Sequence, residues 1–244
     1  METALPPGFK EEHNIVYGIT PDGLLHIKIN RPEKKNAFYP EMYETIRKQV
    51  SMAKDDDRVK AVLTYGSKGS FSAGNDLLSF MNAEEPPSVE YVSSMLWDNA
   101  TFDKPVFYFV QGCCVGVITT MVAFADFVFC SDDAFFVIPF MSLNLGPEGL
   151  SSVKFPEIIG RRKAAEMIFL EHRLTAQEAL QHRFINGIIP KEQIPATEPV
   201  LLDTDKIPGL KKLLGFDMVT LRNAKRLMIQ GQDLERLKKH NVAE

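Results

Sequence analysis

The sequence predicts an α/β fold on three observations: short apolar strands alternate with segments of helical period, glycine-bearing turns follow two of those strands, and several strands are unbroken apolar runs. Unbroken runs belong to a sheet covered on both faces, and the alternating helices supply the cover. Leu24 to Ile29 alternates around His26 and Lys28 after the turn Pro21-Asp22-Gly23, so it reads as a strand following a hairpin, with Tyr17 in the partner strand. Pro40 then opens a helix on which Met42, Ile46 and Val50 recur at helical spacing, and Asp55-Asp56-Asp57-Arg58 reads as its solvated end. Val59 to Tyr65 and Pro105 to Val110 are apolar strands, each followed by a glycine turn. Phe127 to Cys130 and Ala134 to Ile138 add strands, while Arg161 to Leu170 and Thr175 to Gln181 read as helices, the second opened by a Thr175/Glu178 capping box. Glu84-Glu85-Pro86-Pro87 reads as a loop or lid. Ile194 to Pro208, with three prolines, reads as a linker into a tail helix around Phe216 to Met228, whose Lys and Arg residues read as a solvated face.

A chain of 244 residues, 45% hydrophobic, can bury one substantial core, so one main domain with a helical tail is expected. The net charge of -4, with 25% charged residues, lacks the basic excess that nucleic acid or an anionic membrane selects. No uninterrupted apolar run approaches a membrane span, Met1 to Glu12 lacks a signal-peptide core, and the final residues are not a Ser-Lys-Leu address. Cys113, Cys114 and Cys130 lie in apolar segments at no metal-ligand spacing, which predicts buried, reduced thiols and an intracellular compartment. His13, His26, His172, His182 and His240 are likewise scattered, so no metal site is expected.

Two segments carry chemistry. Phe71-Ser72-Ala73-Gly74-Asn75-Asp76-Leu77 follows a strand, and its small residues let the backbone approach whatever lies above it. Gln111-Gly112-Cys113-Cys114-Val115-Gly116-Val117 leads into an apolar helix whose first amides lack intrahelical partners and favour negative charge. Taken singly, each is an ordinary turn. Together, two amides on separate turns can converge on one carbonyl oxygen and stabilise an enolate.

With these segments in view, the order from about Val16 to Pro190 resembles the enoyl-coenzyme A hydratase/isomerase family, the crotonase superfamily. Arg31-Pro32-Glu33-Lys34-Lys35-Asn36-Ala37 resembles its Arg-Pro…Asn-Ala motif, Phe71 to Leu77 its first oxyanion segment, and Lys104-Pro105 with Gln111-Gly112…Gly116 its second. The resemblance implies a crotonase-like ββα-repeat spiral fold over residues 1–190 with a shortened C-terminal helical region over 191–244, an acyl-coenzyme A ligand, and a homotrimer. It implies that the amides of Asn75 and Val117 hold the thioester oxygen. It also implies that Ala37, Ser72, Ala73, Gly74, Asn75, Asp76, Leu77 and Gly116 lie along the substrate.

Hydratases of this family use two glutamates to activate one water, and those places fall here at Thr120 and Phe140, neither of which can act as a base. Leu145-Gly146-Pro147-Glu148-Gly149-Leu150-Ser151-Ser152, with Phe140-Met141-Ser142 before it, instead resembles the Pro-Glu-Gly segment of the peroxisomal-type Δ3,Δ2-enoyl-coenzyme A isomerases. By that likeness Glu148 is the single base, no cofactor is needed beyond the coenzyme A of the substrate, and the compartment is the peroxisome, while the want of a Ser-Lys-Leu end leaves the cytoplasm and the mitochondrion open. Apolar Leu145, Pro147 and Leu150 are expected to raise the pKa of Glu148. Ser151 and Ser152, with no Gly-x-Ser-x-Gly elbow around them, are expected to cap the next helix.

Beyond Pro190 the likeness fades, and only Ala224-Lys225-Arg226-Leu227 resembles the expected covering helices. That shortening keeps a second class open, a fold-bearing acyl-coenzyme A binding or scaffold protein of weak activity. A third, another enolate reaction such as dienoyl isomerisation or thioester hydrolysis, shares the amide site but shows no second carboxylate.

Overall fold

A computed structural model of the protein describes residues 4–81, 97–194 and 201–243. The Glu84-Glu85-Pro86-Pro87 loop and residues 195–200 of the expected linker lie outside this range. The strands are β1 (Lys10–Glu12), β2 (Ile15–Ile19), β3 (Leu24–Ile29), β4 (Ala61–Gly66), β5 (Val106–Val110), β6 (Cys113–Val115), β7 (Phe127–Ser131), β8 (Phe135–Val137), β9 (Leu174–Thr175) and β10 (Gly187–Ile189). The labelled helices are α1 (Pro40–Asp55), α2 (Leu77–Met81), α3 (Val117–Val122), α4 (Ser151–Ile159), α5 (Arg161–Phe169), α6 (Ala176–Gln181), α7 (Leu210–Leu214), α8 (Met218–Gln230) and α9 (Leu234–Ala243).

Seven strands form the main sheet in the order β1-β2-β3-β4-β5-β7-β10, antiparallel through β3 and parallel from there on. Tyr17 on β2 faces Ile27 on β3, as the hairpin reading expects. β6, β8 and β9 make a smaller sheet. The parallel strands need helical crossovers, and these cover the main sheet.

Both faces of that sheet are dry. Leu25, Ile27, Ile29, Val62, Tyr108, Val110 and Val128 join the main core on one side with Met42, Tyr43 and Ile46 of α1. Leu24, Leu63, Tyr65, Phe107, Phe109 and Phe129 form a second cluster on the other with Ile207, Leu210, Leu213 and Leu214. His26 and Lys28, the polar positions around which β3 alternates, are both buried. Burial lowers the His26 pKa to about 4 against the opposing charge of Asp22. Its Nδ1 pairs with the Tyr65 hydroxyl at 3.3 Å, and its Nε2 has no hydrogen-bond partner among the described residues.

The tail departs further from expectation. Residues 201–208 are no free linker, since Leu202 and Ile207 pack in the second cluster. Nor is the basic face of α8 simply solvated: Arg222 and Arg226 donate to Asp103 Oδ2 at 2.7 and 2.9 Å, and Lys225 pairs with Asp126 at 2.5 Å. Charge periodicity on a helix cannot reveal acids that lie more than 90 residues away in sequence.

The capping box at Thr175 and Glu178 forms as expected and opens α6. Ser151 and Ser152 do not cap α4: its N-cap is Leu150, and the buried Ser151 hydroxyl has no hydrogen-bond partner among the described residues. Cys114 and Cys130 are buried free thiols, and burial pushes Cys130 up to about 12. Cys113 is only partly buried, with its sulfur 3.0 Å from the Ser70 hydroxyl. Among the described residues, no helix is long and apolar enough to cross a membrane.

Candidate active site

The Arg31 to Ala37 segment serves first as scaffolding. Asn36 is fully buried, and its Nδ2 donates to the carbonyls of Ser67 and Ser70 at 3.1 and 2.6 Å while its Oδ1 accepts from the Arg31 amide at 2.8 Å. One amide side chain thus ties this loop to the turn after β4. Arg31 completes the clamp, donating to the Ala37 carbonyl at 2.9 Å and pairing with Asp76 at 3.0 Å. Burial pushes the Asp76 carboxyl up, but hydrogen bonds from Ser79 and Arg31 outweigh it and hold the group below the usual range.

Between these anchors residues 71–76 run as an extra extended segment. The amides of Phe71 and Ser72 donate to the carbonyls of Gln111 and Cys113, and the Val115 amide returns to Ser72. On the opposite edge, Phe38 donates to the Gly74 carbonyl at 2.8 Å and accepts from the Asp76 amide at 2.7 Å. The Gly74 carbonyl and the Asn75 amide belong to one planar trans peptide and point opposite ways, so the Asn75 amide is turned away from Phe38. Among the described residues it donates to no backbone carbonyl. Gly74 has φ +85°, and a Cβ there would meet the Val115 carbonyl at 2.8 Å, so only glycine lets the two segments approach this closely.

The second segment leaves β6 through Gly116, at φ 66° and ψ -137°, and enters α3 at Val117. The Val117 amide is the first of the helix and has no backbone partner among the described residues. Asn75 and Val117 thus lie at the ends of two segments, 71–76 and β6, that are hydrogen-bonded edge to edge.

Glu148 lies before α4 in a half-buried turn. Gly149 seats that turn against α3: its φ is +69°, and a Cβ would fall 2.0 Å from Thr120 Oγ1. Thr120 and Phe140, the places that the resemblance gives to the hydratase glutamates, are both buried core side chains. Of the apolar neighbours of Glu148, Leu150 is fully buried while Leu145 is about half exposed.

Tyr43, on the buried face of α1, was not singled out in the sequence. Its hydroxyl donates to Asn75 Oδ1 at 2.5 Å, and its ring packs on Phe38 with centroids 4.8 Å apart. Burial first, and the charge of Glu148 second, hold its phenol well above the ordinary value, so it stays protonated. Helical periodicity marks Tyr43 only as another core-facing residue beside Met42 and Ile46.

Of the remaining expected substrate contacts, Ser72 is fully buried, donating to the Asn36 carbonyl at 2.8 Å and accepting from the Gly74 amide at 3.1 Å. The Ala73 amide donates to Lys35, and Leu77 is exposed at the start of α2. The enoyl-CoA hydratase/isomerase profile matches residues 20–202. The chain belongs to the enoyl-CoA hydratase/isomerase family. The expected crotonase-like α/β fold is therefore the fold it has, with a TM-score of 0.81 against an enoyl-CoA hydratase/isomerase from Pseudoalteromonas atlantica, 26% identical over 94% of this chain and 89% of that one. Among curated family relatives it is 37% identical to human enoyl-CoA delta isomerase 2, over 69% of this chain and 44% of the relative. It is 38% identical to mouse peroxisomal enoyl-CoA delta isomerase 3, over 70% of this chain and 55% of the relative. The chain thus spans about half the length of these isomerases.

Proposed function

We propose that this chain binds an acyl-coenzyme A thioester and isomerises a 3-enoyl to a 2-enoyl group, with Glu148 as base and the amides of Asn75 and Val117 holding the thioester oxygen. The observation that carries the reading is that Gly149 seats the Glu148 turn against Thr120 of α3, while buried Thr120 and Phe140 occupy the places that the family likeness gives to the water-activating carboxylates. Glu148 takes a proton from C2, and the electron pair of that bond moves into the thioester as an enolate. The negative charge comes to rest on the oxygen facing the two amides, a type of contact that typically contributes about 3 kcal/mol per donor. When the enolate collapses, C2 joins C3 in the new double bond and C4 takes the proton back from Glu148. The proton and electron counts close within one substrate, so the reaction needs no metal or redox cofactor.

Ala37, Ser72, Ala73, Gly74, Asp76, Leu77 and Gly116 belong to the same proposal as the wall along the ligand. So does a homotrimer, which light scattering tests, and so does a peroxisomal setting like that in the mouse relative's name. The test follows 3-hexenoyl-coenzyme A as it becomes the conjugated 2-enoyl product. Glu148→Gln is expected to lower kcat by about 10²–10⁴-fold, the usual contribution of a general base. Near-normal turnover in that variant rejects the mechanism. Thioester binding without turnover in both proteins points instead to a binding protein.

A further inference from the structure

We propose that Tyr43 is a positioning residue: it grips the Asn75 side chain and so, together with the Phe38 bond to the Gly74 carbonyl, fixes the direction of the Asn75 amide toward the thioester oxygen. This rests on the isomerase reading for its catalytic readout, though not for its spectroscopic one. Neither end of the link is free to drift. Tyr43 is buried on the sixteen-residue helix α1, and its ring is packed on Phe38. Phe38 in turn bonds both neighbours of Asn75, through the Gly74 carbonyl and the Asp76 amide. To these backbone ties, one of which holds the carbonyl of the same peptide that carries the Asn75 amide, the 2.5 Å bond from the Tyr43 hydroxyl to Asn75 Oδ1 adds a side-chain tie. Asn75 is otherwise exposed and follows the permissive Gly74, so the Tyr43 bond gives the planar Gly74–Asn75 peptide a second anchor beside the Phe38 bond to its carbonyl. The asparagine has a purpose under this reading, since a bare amide would be provided equally by alanine. The protonated phenol also brings no second negative charge near Glu148.

The experiment uses hexanoyl-coenzyme A labelled with 13C at the thioester carbon, a saturated ligand that cannot isomerise, and reads its carbonyl stretch by infrared difference. Wild type, Tyr43→Phe, Asn75→Ala and the double variant are compared, all four first checked for an unchanged melting profile. Bound to wild type, the stretch is expected to fall below that of the free thioester. Each single variant is expected to lose part of that displacement, and the double variant no more than either, because the two residues act as one unit. With 3-hexenoyl-coenzyme A, kcat is expected to drop about 10-fold in Tyr43→Phe with a smaller change in KM, less than the roughly 10²–10³-fold loss of a whole oxyanion donor. The acid limb of the pH profile stays in place. An unchanged carbonyl stretch in Tyr43→Phe, additive losses in the double variant, or a shifted acid limb each overturn the proposal. Near-normal turnover in Glu148→Gln rejects the isomerase reading alone, because the infrared comparison does not involve Glu148. A wild type that binds no thioester overturns both.

Discussion

At the scale of single residues, the site depends on places where a side chain has been left out. Gly149 is the sharpest case: even alanine would put a Cβ 2.0 Å from Thr120 Oγ1, on a backbone with φ +69°. Gly149→Ala is therefore expected to cost about 1–3 kcal/mol, the usual size of such backbone strain, and to lower turnover by displacing Glu148. Calorimetry and the 3-hexenoyl assay on the same preparation check both, and a variant with wild-type melting and wild-type kcat would show the turn free to move. His26 is a second residue-scale liability. Its folded pKa of about 4 lies below the unfolded value near 6.5, so the folded state binds fewer protons than the unfolded one. Stability is complete above about pH 6.5 and falls as the pH drops toward about 4. Urea melts of His26→Gln across that window are expected to lose this slope, whereas an undiminished slope would assign it to other groups.

At the scale of elements, helix α8 is held by charge more than by grease. Of its thirteen residues only Ile229 is buried, while Arg222 and Arg226 converge on the buried Asp103. Burial raises the Asp103 carboxyl, and the two arginine hydrogen bonds outweigh it and leave the group below its usual range. Asp103→Asn keeps the volume but halves the acceptor capacity and removes the charge. It is expected to destabilise by about 1–3 kcal/mol, the cost of losing hydrogen bonds to a charged group. Limited proteolysis is the direct readout, with new cuts in residues 218–230 expected and an unaltered digest counting against charge as the holding force. A helix with a buried stripe announces itself in sequence by period, and α1 does so. One docked by paired charges does not, which is why α8 reads there as solvated.

At the scale of the whole molecule, the C-terminal residues complete the core. Ile207, Leu210, Leu213 and Leu214 cover the sheet face opposite α1, against strands drawn from residues 24–189. Leu210→Ala is expected to cost about 2–5 kcal/mol, as truncation of a buried leucine does, with a lower urea midpoint and an unchanged slope. Activity below the transition is expected to persist, because that cluster lies across the sheet from the α1 side that carries Tyr43. A loss of kcat at full folding would instead couple the two faces.

The sequence by itself determined strands β3, β4, β5, β7 and β8, the glycine turns after β4 and β5, α1, the Thr175 capping box and the segments that bear Asn75, Val117 and Glu148. These are local matters, set by apolar period, by φ demands that only glycine meets easily, and by motif order. Only the tertiary structure decided that His26 and Lys28 are buried, that Arg222 and Arg226 meet Asp103, that Gly149 rests on Thr120, and that Tyr43 holds Asn75. Each of these joins residues far apart along the chain, and the free energy of such a contact depends on a distance that no local pattern encodes.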